Sequence, residues 1–277
     1  MRIFRTTESE PFVARTGRME EFHNRLIKLS DPGIFFCRKG HAHLNIDLKE
    51  YDIVKNTQVI IQPGTILRLT ESSTDFEVSY CYFSEQLLRE ITIHLEPSFF
   101  HFLKENPSFT FPDDCIEAIN GLMIATEAIY LDREHRFRDI IIRNHLQCFL
   151  LNVYEKTHRW FTRKQIEGTD RKDQLFKRFI ALVHKHCTTQ REVGFYANEL
   201  FITSRYLSAI VQEVTGKTAK HIIDMHVILE IKVMLESTDL SIQEIANRLQ
   251  FPDQSFFGRY FKKHTGTSPL NYRRALG

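Results

Sequence analysis

Two histidines near the start of the chain are the first residues whose spacing could do chemistry. His41 and His43 stand one residue apart between two short apolar segments, and a His-x-His pair on a β-strand is one way in which a metal site in a small barrel begins. Such a site also needs a carboxylate a few residues on and another histidine after the Pro63-Gly64 turn. Asp47 is the only carboxylate near the position expected for the carboxylate ligand. No histidine follows the turn in the next apolar run. We therefore expect a solvated pair of loop histidines and no metal site.

The usual signatures of covalent and phosphate catalysis do not occur in the sequence. It has no Gly-x-Ser-x-Gly nucleophile elbow, no phosphate-binding loop and no His-Glu-x-x-His pair. Its five cysteines are scattered and lack a Cys-x-x-Cys pair, so we expect reduced thiols in a cytoplasmic protein. No secretory signal is visible, and no apolar run approaches the ~18 residues of a membrane span. We expect a protein that is not an enzyme and needs no cofactor.

Arginine, glutamine and lysine side chains in the last third of the chain could do a different kind of chemistry, the reading of DNA. Arg can donate two hydrogen bonds to one guanine and Gln can pair with adenine, whereas contacts to phosphates give affinity without sequence information. The predicted base readers are Arg205, Ser208, Gln212, Gln254, Ser255 and Arg259. The predicted phosphate contacts are Lys217, Lys220, Lys262, Arg273 and Arg274. Each could instead be an ordinary solvated surface group.

The charge distribution agrees with this interpretation. The whole chain has a net charge of only +2, but residues 170–277 carry 16 Lys and Arg against 11 Asp and Glu, and the remainder is mildly acidic. A basic C-terminal part behind an acidic N-terminal part fits a DNA-binding module carried by another domain.

These side chains are positioned by a motif that occurs twice. Thr203 and Gly216 are as far apart as Asp253 and Gly266, and each pair brackets a predicted helix that opens on a capping residue and closes at glycine. A shorter helix precedes each, so that both copies are predicted helix-turn-helix motifs and one chain could contact two stretches of DNA. The motifs span about 192–216 and 241–266, with support helices at 192–201 and 242–249, recognition helices at 204–215 and 254–264, and a connecting helix at 222–235.

Each recognition helix also has a predicted inner face that packs on its support helix. These faces are Leu207, Ile210, Val211 and Val214 in the first copy, and Phe256, Phe257, Tyr260 and Phe261 in the second. Gly258 costs ~1 kcal/mol relative to Ala inside a helix. We therefore expect its backbone to lie close either to DNA or to the support helix.

The N-terminal part alternates short apolar runs with turns, which predicts a small β-barrel or sandwich. The runs are 33–37, 44–48, 58–61, 66–69 and 76–83, and predicted helices follow at 85–95, 113–130 and 137–163. The last helix has an apolar stripe that could form a homodimer seam or lie wholly in the core. The many Phe and Tyr side chains could enclose an apolar small molecule or be plain core. We expect an N-terminal domain of residues 1–165, a linker at 166–172 and a C-terminal domain of 173–277.

Several spaced elements of the second motif closely resemble the signature of AraC-type transcriptional regulators. They are Ser241-Ile-Gln-Glu-Ile-Ala246, Phe251-Pro-Asp253, Ser255-Phe-Phe257, Arg259-Tyr-Phe-Lys-Lys263 and Thr265-Gly-Thr-Ser-Pro269, followed by Tyr272-Arg273. The resemblance covers about residues 175–276, the first motif included. The N-terminal part resembles the cupin-like domain of that family more loosely, through Pro63-Gly64 and the rhythm of its strands.

The resemblance implies an α+β protein of two domains, with an N-terminal cupin-like β-barrel with helices and a C-terminal all-α double helix-turn-helix domain. It further implies a regulator that binds specific double-stranded DNA at the nucleoid in the cytoplasm, responds to a small effector in the N-terminal domain, dimerises, and contacts RNA polymerase if it activates transcription. Val227 and Ile231 depart from the usual residues of the connecting helix, Ala219 replaces a common Pro, and Ala209 stands where some members carry a base-contacting Arg.

Two other functions stay open at this point. A metal-dependent cupin enzyme with an appended helical domain would need His41 and His43 to bind metal. A helical protein-interaction module would use the double motif to bind protein, but the basic charge and the outward Gln and Arg side chains argue against that function.

Overall fold

A computed structural model describes residues 6, 7, 10–92, 95–112, 116–161 and 171–275. The chain divides into two compact units. The first consists of Met1–Asn24 with Lys28–Glu167, and the second of Arg25–Ile27 with Gly168–Gly277. Each unit has a hydrophobic core of its own.

The N-terminal unit is built on two β-sheets. Among the described residues the strands are β1 (Phe12–Gly17), β2 (Ile27–Lys28), β3 (Gly33–Lys39), β4 (His41–Ile46), β5 (Lys49–Val54), β6 (Thr57–Ile61), β7 (Ile66–Ser72), β8 (Glu77–Phe83) and β9 (Ser108–Thr110). One sheet has the order β1-β8-β3-β6-β9 and the other the order β2-β7-β4-β5. The pairs β1–β8, β3–β8, β3–β6, β6–β9, β4–β5 and β4–β7 are all antiparallel.

The strand-rich fold that the alternation predicts is confirmed, with two sheets in place of a single closed barrel. The five predicted runs correspond to β3, β4, β6, β7 and β8. Strands β1, β2, β5 and β9 were not predicted. The reason is clear for β5, because its residues are mostly charged or polar and exposed at a sheet edge, so that it lacks an apolar signal.

The turn between β3 and β4 depends on a glycine. Gly40 has φ +70°, and a Cβ built on it would lie 2.4 Å from the Ser73 hydroxyl oxygen and 2.8 Å from the Phe76 Cα. Only a residue without a side chain fits this close approach.

In the described part of this unit, four α-helices pack with the five-stranded sheet. They are α1 (Glu85–Ile91), α2 (Pro97–Glu105), α3 (Ile116–Leu131) and α4 (Arg138–Trp160). Their apolar side chains form one core with those of the sheet, including the fully buried Phe12, Phe36 and Phe99. Helix α2 was not predicted. Residues 93–94, 113–115 and 162–163 of the other predicted helices lie outside the described residues.

Helix α4 has two different faces. Ile142, Leu146 and Phe149 are buried in the core, whereas Ile140 and Leu151 are 48% and 41% exposed. The predicted stripe therefore splits into a core side and an exposed apolar side.

From Arg171 onward, the regular elements of the described C-terminal unit are all helices. Its helices are α5 (Arg171–His186), α6 (Val193–Glu199), α7 (Ser204–Thr215), α8 (Ala219–Ser237), α9 (Ile242–Arg248), α10 (Gln254–Thr265) and α11 (Pro269–Arg274). The connecting helix α8 is longer than predicted and is buried on most sides, with Ile223, Val227 and Ile231 fully covered. At about 1.5 Å per residue its 19 residues span roughly 28 Å.

The predicted linker at 166–172 can be compared with the structure only at its end. Residues 166–170 lie outside the described residues, and Arg171 and Lys172 already belong to α5. No helix in the described ranges is long and apolar enough to cross a membrane.

Candidate nucleic-acid interface

The first helix-turn-helix consists of α6, a short turn and α7. Its turn includes Phe201, a non-glycine residue with φ +56°, and closes through a hydrogen bond from the Ile202 N–H to the Ala197 carbonyl oxygen (3.0 Å). Thr203 then caps α7, because its hydroxyl accepts the backbone N–H of Tyr206 (3.2 Å). The predicted capping residue and the predicted bounds of α7 are thus observed, whereas α6 is shorter than the predicted support helix at 192–201.

The second helix-turn-helix, α9 and α10, repeats this geometry. Gln250 takes the place of Phe201, with φ +53°, and the Phe251 N–H donates to the Ala246 carbonyl oxygen (2.9 Å). Asp253 caps α10 by accepting the N–H of Phe256 at 2.6 Å. The second turn is one residue longer, since Pro252 stands between the closing residue and the cap.

The repeat continues past the recognition helices. Both α7 and α10 have 12 residues and end at a left-handed glycine, Gly216 with φ +68° and Gly266 with φ +81°. Thr218 and Ser268 then cap α8 and α11. The two recognition helices therefore have the same length, each with a side-chain cap at its N-terminus and a left-handed glycine at its C-terminus.

A capping box fixes the start of the second support helix. The Ser241 hydroxyl accepts the Glu244 N–H (3.2 Å), and the Glu244 carboxylate accepts the Ser241 N–H (2.7 Å). Hydrogen bonds from the Ser241 side chain and backbone to the Glu244 carboxylate hold the pKa of Glu244 below its ordinary value. The carboxylate is therefore charged at neutral pH, next to the positive end of the α9 dipole.

The inner faces of the recognition helices are only partly as predicted. Leu207, Ile210, Val211, Phe257 and Phe261 are buried in the core of the unit, and Tyr260 packs against it. Val214 and Phe256 were also predicted to face inward, and this is wrong: their exposed fractions are 43% and 44%. Tyr206, the counterpart of Phe256 in α7, is 39% exposed as well. An aromatic side chain is therefore exposed near the N-terminus of both recognition helices.

Most of the predicted base readers are on the outer surface of α7 and α10. Arg205, Gln212, Gln254, Ser255 and Arg259 are exposed, and Ser208 is half-buried. Gln212 is also engaged within the chain, because its amide nitrogen donates to the Gly216 carbonyl oxygen (3.0 Å). Arg205 and Arg259 are therefore the exposed arginines on the outer faces of α7 and α10.

Two of the predicted phosphate contacts, Lys220 and Arg273, are engaged within the chain. Lys220 is held by the chain itself, since its ammonium donates to the Arg191 carbonyl oxygen (2.9 Å) and lies 3.2 Å from the Asp224 carboxylate. Arg273 is held in the same way, with its guanidinium donating to backbone carbonyl oxygens of Leu235 (3.1 Å), Thr238 and Leu240. Both cations therefore have partners within the chain, and their contact with phosphate stays a prediction. Lys217, Lys262 and Arg274 are exposed and stay candidates.

Arg191 was not predicted to matter, yet it joins the two motifs. It precedes α6, and its guanidinium donates to the Gln250 (3.3 Å) and Leu249 carbonyl oxygens in the second turn and to Thr188 O (3.0 Å). The guanidinium carbon also lies 3.9 Å from the centroid of the Phe251 ring. Arg191 therefore ties the start of the first motif to the turn of the second.

The connecting helix holds the second recognition helix by a partly buried polar contact. The Tyr260 hydroxyl of α10 donates to the Asp224 carboxylate of α8 (2.7 Å). Burial, and secondarily this hydrogen bond, raises the pKa of Tyr260, so the hydroxyl is protonated and can donate at neutral pH.

Gly258 lies where a side chain would meet nothing. A Cβ built on it finds no atom within 4 Å. Close packing on the support helix therefore does not explain this glycine, and a close approach of DNA stays a prediction.

The histidine pair of the N-terminal unit is on a strand and not in a loop, which corrects the sequence-based expectation. His41 and His43 are both exposed on β4, and His43 Nδ1 lies 2.5 Å from an exposed carboxylate oxygen of Asp52 on β5. Within the described ranges, no group of three or more His, Cys, Asp or Glu side chains could hold a metal ion.

The comparisons with known proteins add to this geometry. The model of a helix-turn-helix domain family matches residues 196–275. The probable transcription factor PqrA of Proteus vulgaris is 32% identical over 82 residues, which are 30% of this chain and 67% of PqrA. The chain belongs to the AraC-type transcriptional regulators. The predicted family is thereby confirmed, and α6 to α11 of this AraC-type regulator are the part that carries the relationship.

A second relative and one solved structure extend the comparison. The uncharacterised HTH-type transcriptional regulator YijO of Escherichia coli is 31% identical over 111 residues, 40% of this chain and 39% of YijO. The chain spans less than two thirds of the length of most of the curated relatives that it matches. A structure of ToxT from Vibrio cholerae matches with a TM-score of 0.51 and 16% identity, over 96% of this chain and 99% of that one. This likeness shows the fold, and the predicted α+β fold of two domains is confirmed.

Proposed function

We propose that this AraC-type regulator binds specific double-stranded DNA through α7 and α10 and so controls transcription. The observation that carries the proposal is the repeat: two recognition helices of equal length and capping expose Arg205 and Arg259 on their outer faces. Helices of this kind enter the major groove, and two of them on one face of a duplex contact segments about one helical turn (~34 Å) apart.

The proposed roles of the exposed side chains follow their chemistry. Arg205, Ser208, Gln254, Ser255 and Arg259 contact base edges, since they lie toward the N-terminal ends of the recognition helices or on their outer faces. Gln212 belongs to this set only if it exchanges its bond to Gly216 for one to a base. The proposed phosphate contacts are Lys217, Lys262 and Arg274.

The N-terminal unit is proposed to bind a small effector. A cavity of about 180 Å³ lies between the sheet and the helices, with Ile34, Ile60, Phe83 and Leu150 among its apolar walls. Such a cavity suits an apolar molecule. An effector changes the DNA-binding activity only if its affinity differs between the competent and incompetent states.

The exposed side of α4 is proposed to be a homodimer seam. Phe137, just before the helix, is 55% exposed, and Ile140, Cys148 and Leu151 are exposed along the same helix. Apolar side chains in a row at helical spacing favour packing against a second copy of the same helix. A regulator that binds chromosomal DNA would work at the nucleoid in the cytoplasm, and would contact RNA polymerase if it activates.

The proposal is tested by selection of bound sequences from a random DNA pool, with the full chain at near-physiological salt. The expected result is an enriched site with two half-elements about one turn apart. The variant in which both Arg205 and Arg259 are Ala should enrich nothing, whereas Arg178→Ala, which removes an exposed charge from α5, should enrich the same site as the unchanged chain. Failure of the folded, unchanged chain to enrich any sequence, with or without the N-terminal unit, would contradict the proposal.

A further inference from the structure

Gln58 on β6 is a buried amide without hydrogen-bond partners. Its side chain is fully buried, and neither its amide nitrogen nor its amide oxygen has a partner within the described part of the chain. Leaving such a group unpaired is unfavourable, and nearly all buried polar groups in proteins are paired with protein, water or a ligand. The position therefore points to something that binds there.

The amide lines a cavity of about 70 Å³, which we name the Gln58 cavity. It lies between the five-stranded sheet, the end of β9 and helices α3 and α4. Its other lining residues are Phe111, Ala118, Ile119, Leu122, Phe149, Asn152, Val153 and Lys156. This volume is well above the ~10–15 Å³ that one water needs. None of these residues lines the 180 Å³ cavity described above.

The walls define what could occupy the Gln58 cavity. Ile119, Leu122, Phe149 and Val153 are apolar, so the body of the occupant must be apolar too. Gln58 offers an N–H donor and a carbonyl acceptor side by side. An organic occupant that satisfies both must carry an acceptor and a donor side by side, like the oxygen and nitrogen bonded to one carbon in a primary amide.

Among the described lining residues, none is a buried charge that could pair with an ion. Lys156, the one cation among them, is half-buried and places its ammonium 5.1 Å from the centroid of the Phe111 ring. The Asn152 amide nitrogen already donates to the Cys148 carbonyl oxygen (2.9 Å). A neutral occupant is therefore favoured over a carboxylate or phosphate deep in the cavity.

We propose that the Gln58 cavity binds a small neutral molecule of the primary amide type, with a short apolar tail. Its amide pairs with that of Gln58 through two hydrogen bonds, and its tail packs between α3 and α4. A regulatory role for this site rests on the proposed function. Helix α4 would connect the cavity to the proposed dimer seam, because Phe149 and Val153 line the cavity while Leu151 is on the exposed side of the same helix.

Butyramide is the probe for the test, added to the full chain labelled with ¹⁵N in its glutamine side chains. The Gln58 signal is assigned as the one that disappears in Gln58→Leu. The expected result is a saturable shift of that signal with butyramide. At least tenfold weaker binding is expected of 2-pentanone, which has a similar tail and an acceptor but no donor. No saturable shift of the Gln58 signal at any soluble butyramide concentration, as when water alone occupies the cavity, overturns the proposal.

Two variants separate a ligand site from a structural role. Gln58→Leu removes an unpaired buried amide, so it should raise Tm and abolish butyramide binding. Gln62→Leu is the matched control: the Gln62 amide donates to the Phe100 carbonyl oxygen, so this change should lower Tm and leave butyramide binding unchanged. A lower Tm for Gln58→Leu, or butyramide binding that survives it, overturns the proposal.

An assay of DNA binding without butyramide tests the proposed function separately from the Gln58 site. Gln58→Leu should shift DNA as the unchanged chain does in that assay. If the unchanged chain binds butyramide at Gln58 but binds no DNA, the cavity is confirmed as a ligand site and the proposed function fails. If it binds DNA but not butyramide, the reverse holds.

Discussion

At the scale of single residues, the two contact classes on α10 can be separated. Arg259 and Lys262 are both exposed on the same helix. Arg259→Ala should relax the preference at one or two base positions, at a cost of about 1–3 kcal/mol for the preferred base. Lys262→Ala should weaken all sequences alike and reduce the salt slope of binding by about one. Binding of the selected site and of single-base variants, over a range of salt concentrations, measures both effects.

Arg259→Ala and Lys262→Ala are controls for each other, because each variant loses one positive charge from the same helix. Identical base preferences and salt slopes for the two variants would show that the division into base and phosphate contacts is wrong.

Gly258 gives a second prediction at this scale. Because a Cβ on it meets no atom within 4 Å, Gly258→Leu should fold, and its Tm should not fall since Leu has a higher helix propensity than Gly. A bulky side chain there should nevertheless block the approach of DNA, and binding in a shift assay should be lost. Gly258→Ala, which adds only one carbon, should bind more tightly than Gly258→Leu.

If Gly258→Leu binds DNA as well as the unchanged chain, the α10 surface around this glycine does not face the duplex. A fall in Tm would instead show that the space around it is not open.

At the scale of elements, the sequence predicts most where the signal is local. The bounds of α7 are those predicted, and α10 ends one residue later than predicted, because Thr203, Asp253 and the two closing glycines act on their own helices. The contacts that Lys220 and Arg273 make within the chain were not predicted, for the opposite reason. Their partners include a carbonyl 29 residues away for Lys220 and one 38 residues away for Arg273, and no pattern along the chain shows such a contact.

The same limit applies to the N-terminal unit. The five strands with apolar runs were predicted, whereas the polar edge strand β5 and helix α2 were not. The Gln58 cavity was not predicted either, since a glutamine within the apolar run of β6 looks like any other polar residue until its burial is known.

Arg191 gives a prediction about how the elements are held together. Arg191→Met keeps much of the apolar stem but removes the donors to Thr188, Leu249 and Gln250. We expect the free energy of unfolding to fall by about 1–3 kcal/mol, because the carbonyl groups in the second turn lose their partners. Chemical denaturation of the full chain measures this change.

Arg178→Met is the matched control, since Arg178 is exposed on α5, and its effect should stay within about 0.5 kcal/mol. Arg191→Met should also tolerate a wider range of spacings between the two half-elements of the DNA site. Equal stability and equal spacing preference in the two variants would contradict the tie between the motifs.

At the scale of the whole molecule, the exposed side of α4 predicts the oligomeric state. Leu151→Asp places a charge in the proposed seam, where burying it without a partner is unfavourable. We expect the dissociation constant of the dimer to rise at least tenfold, as measured by sedimentation equilibrium. Leu48→Asp is the control, because Leu48 is also exposed but lies at the turn between β4 and β5.

Unchanged self-association of Leu151→Asp, or equal weakening by Leu48→Asp, would place the seam elsewhere. A monomeric unchanged chain at all concentrations would refute the homodimer itself.

The order of the two motifs along the chain has one more consequence. A symmetric dimer of single motifs binds a palindrome, which looks the same from either end. Here α7 always precedes α10, and their outer side chains differ, with Ser208 in one helix where Gly258 stands in the other. A site read by one chain therefore has a head and a tail. The bound protein would have one fixed orientation along the duplex. Inverting the site in the promoter would therefore make the other surfaces of the protein face the opposite flank.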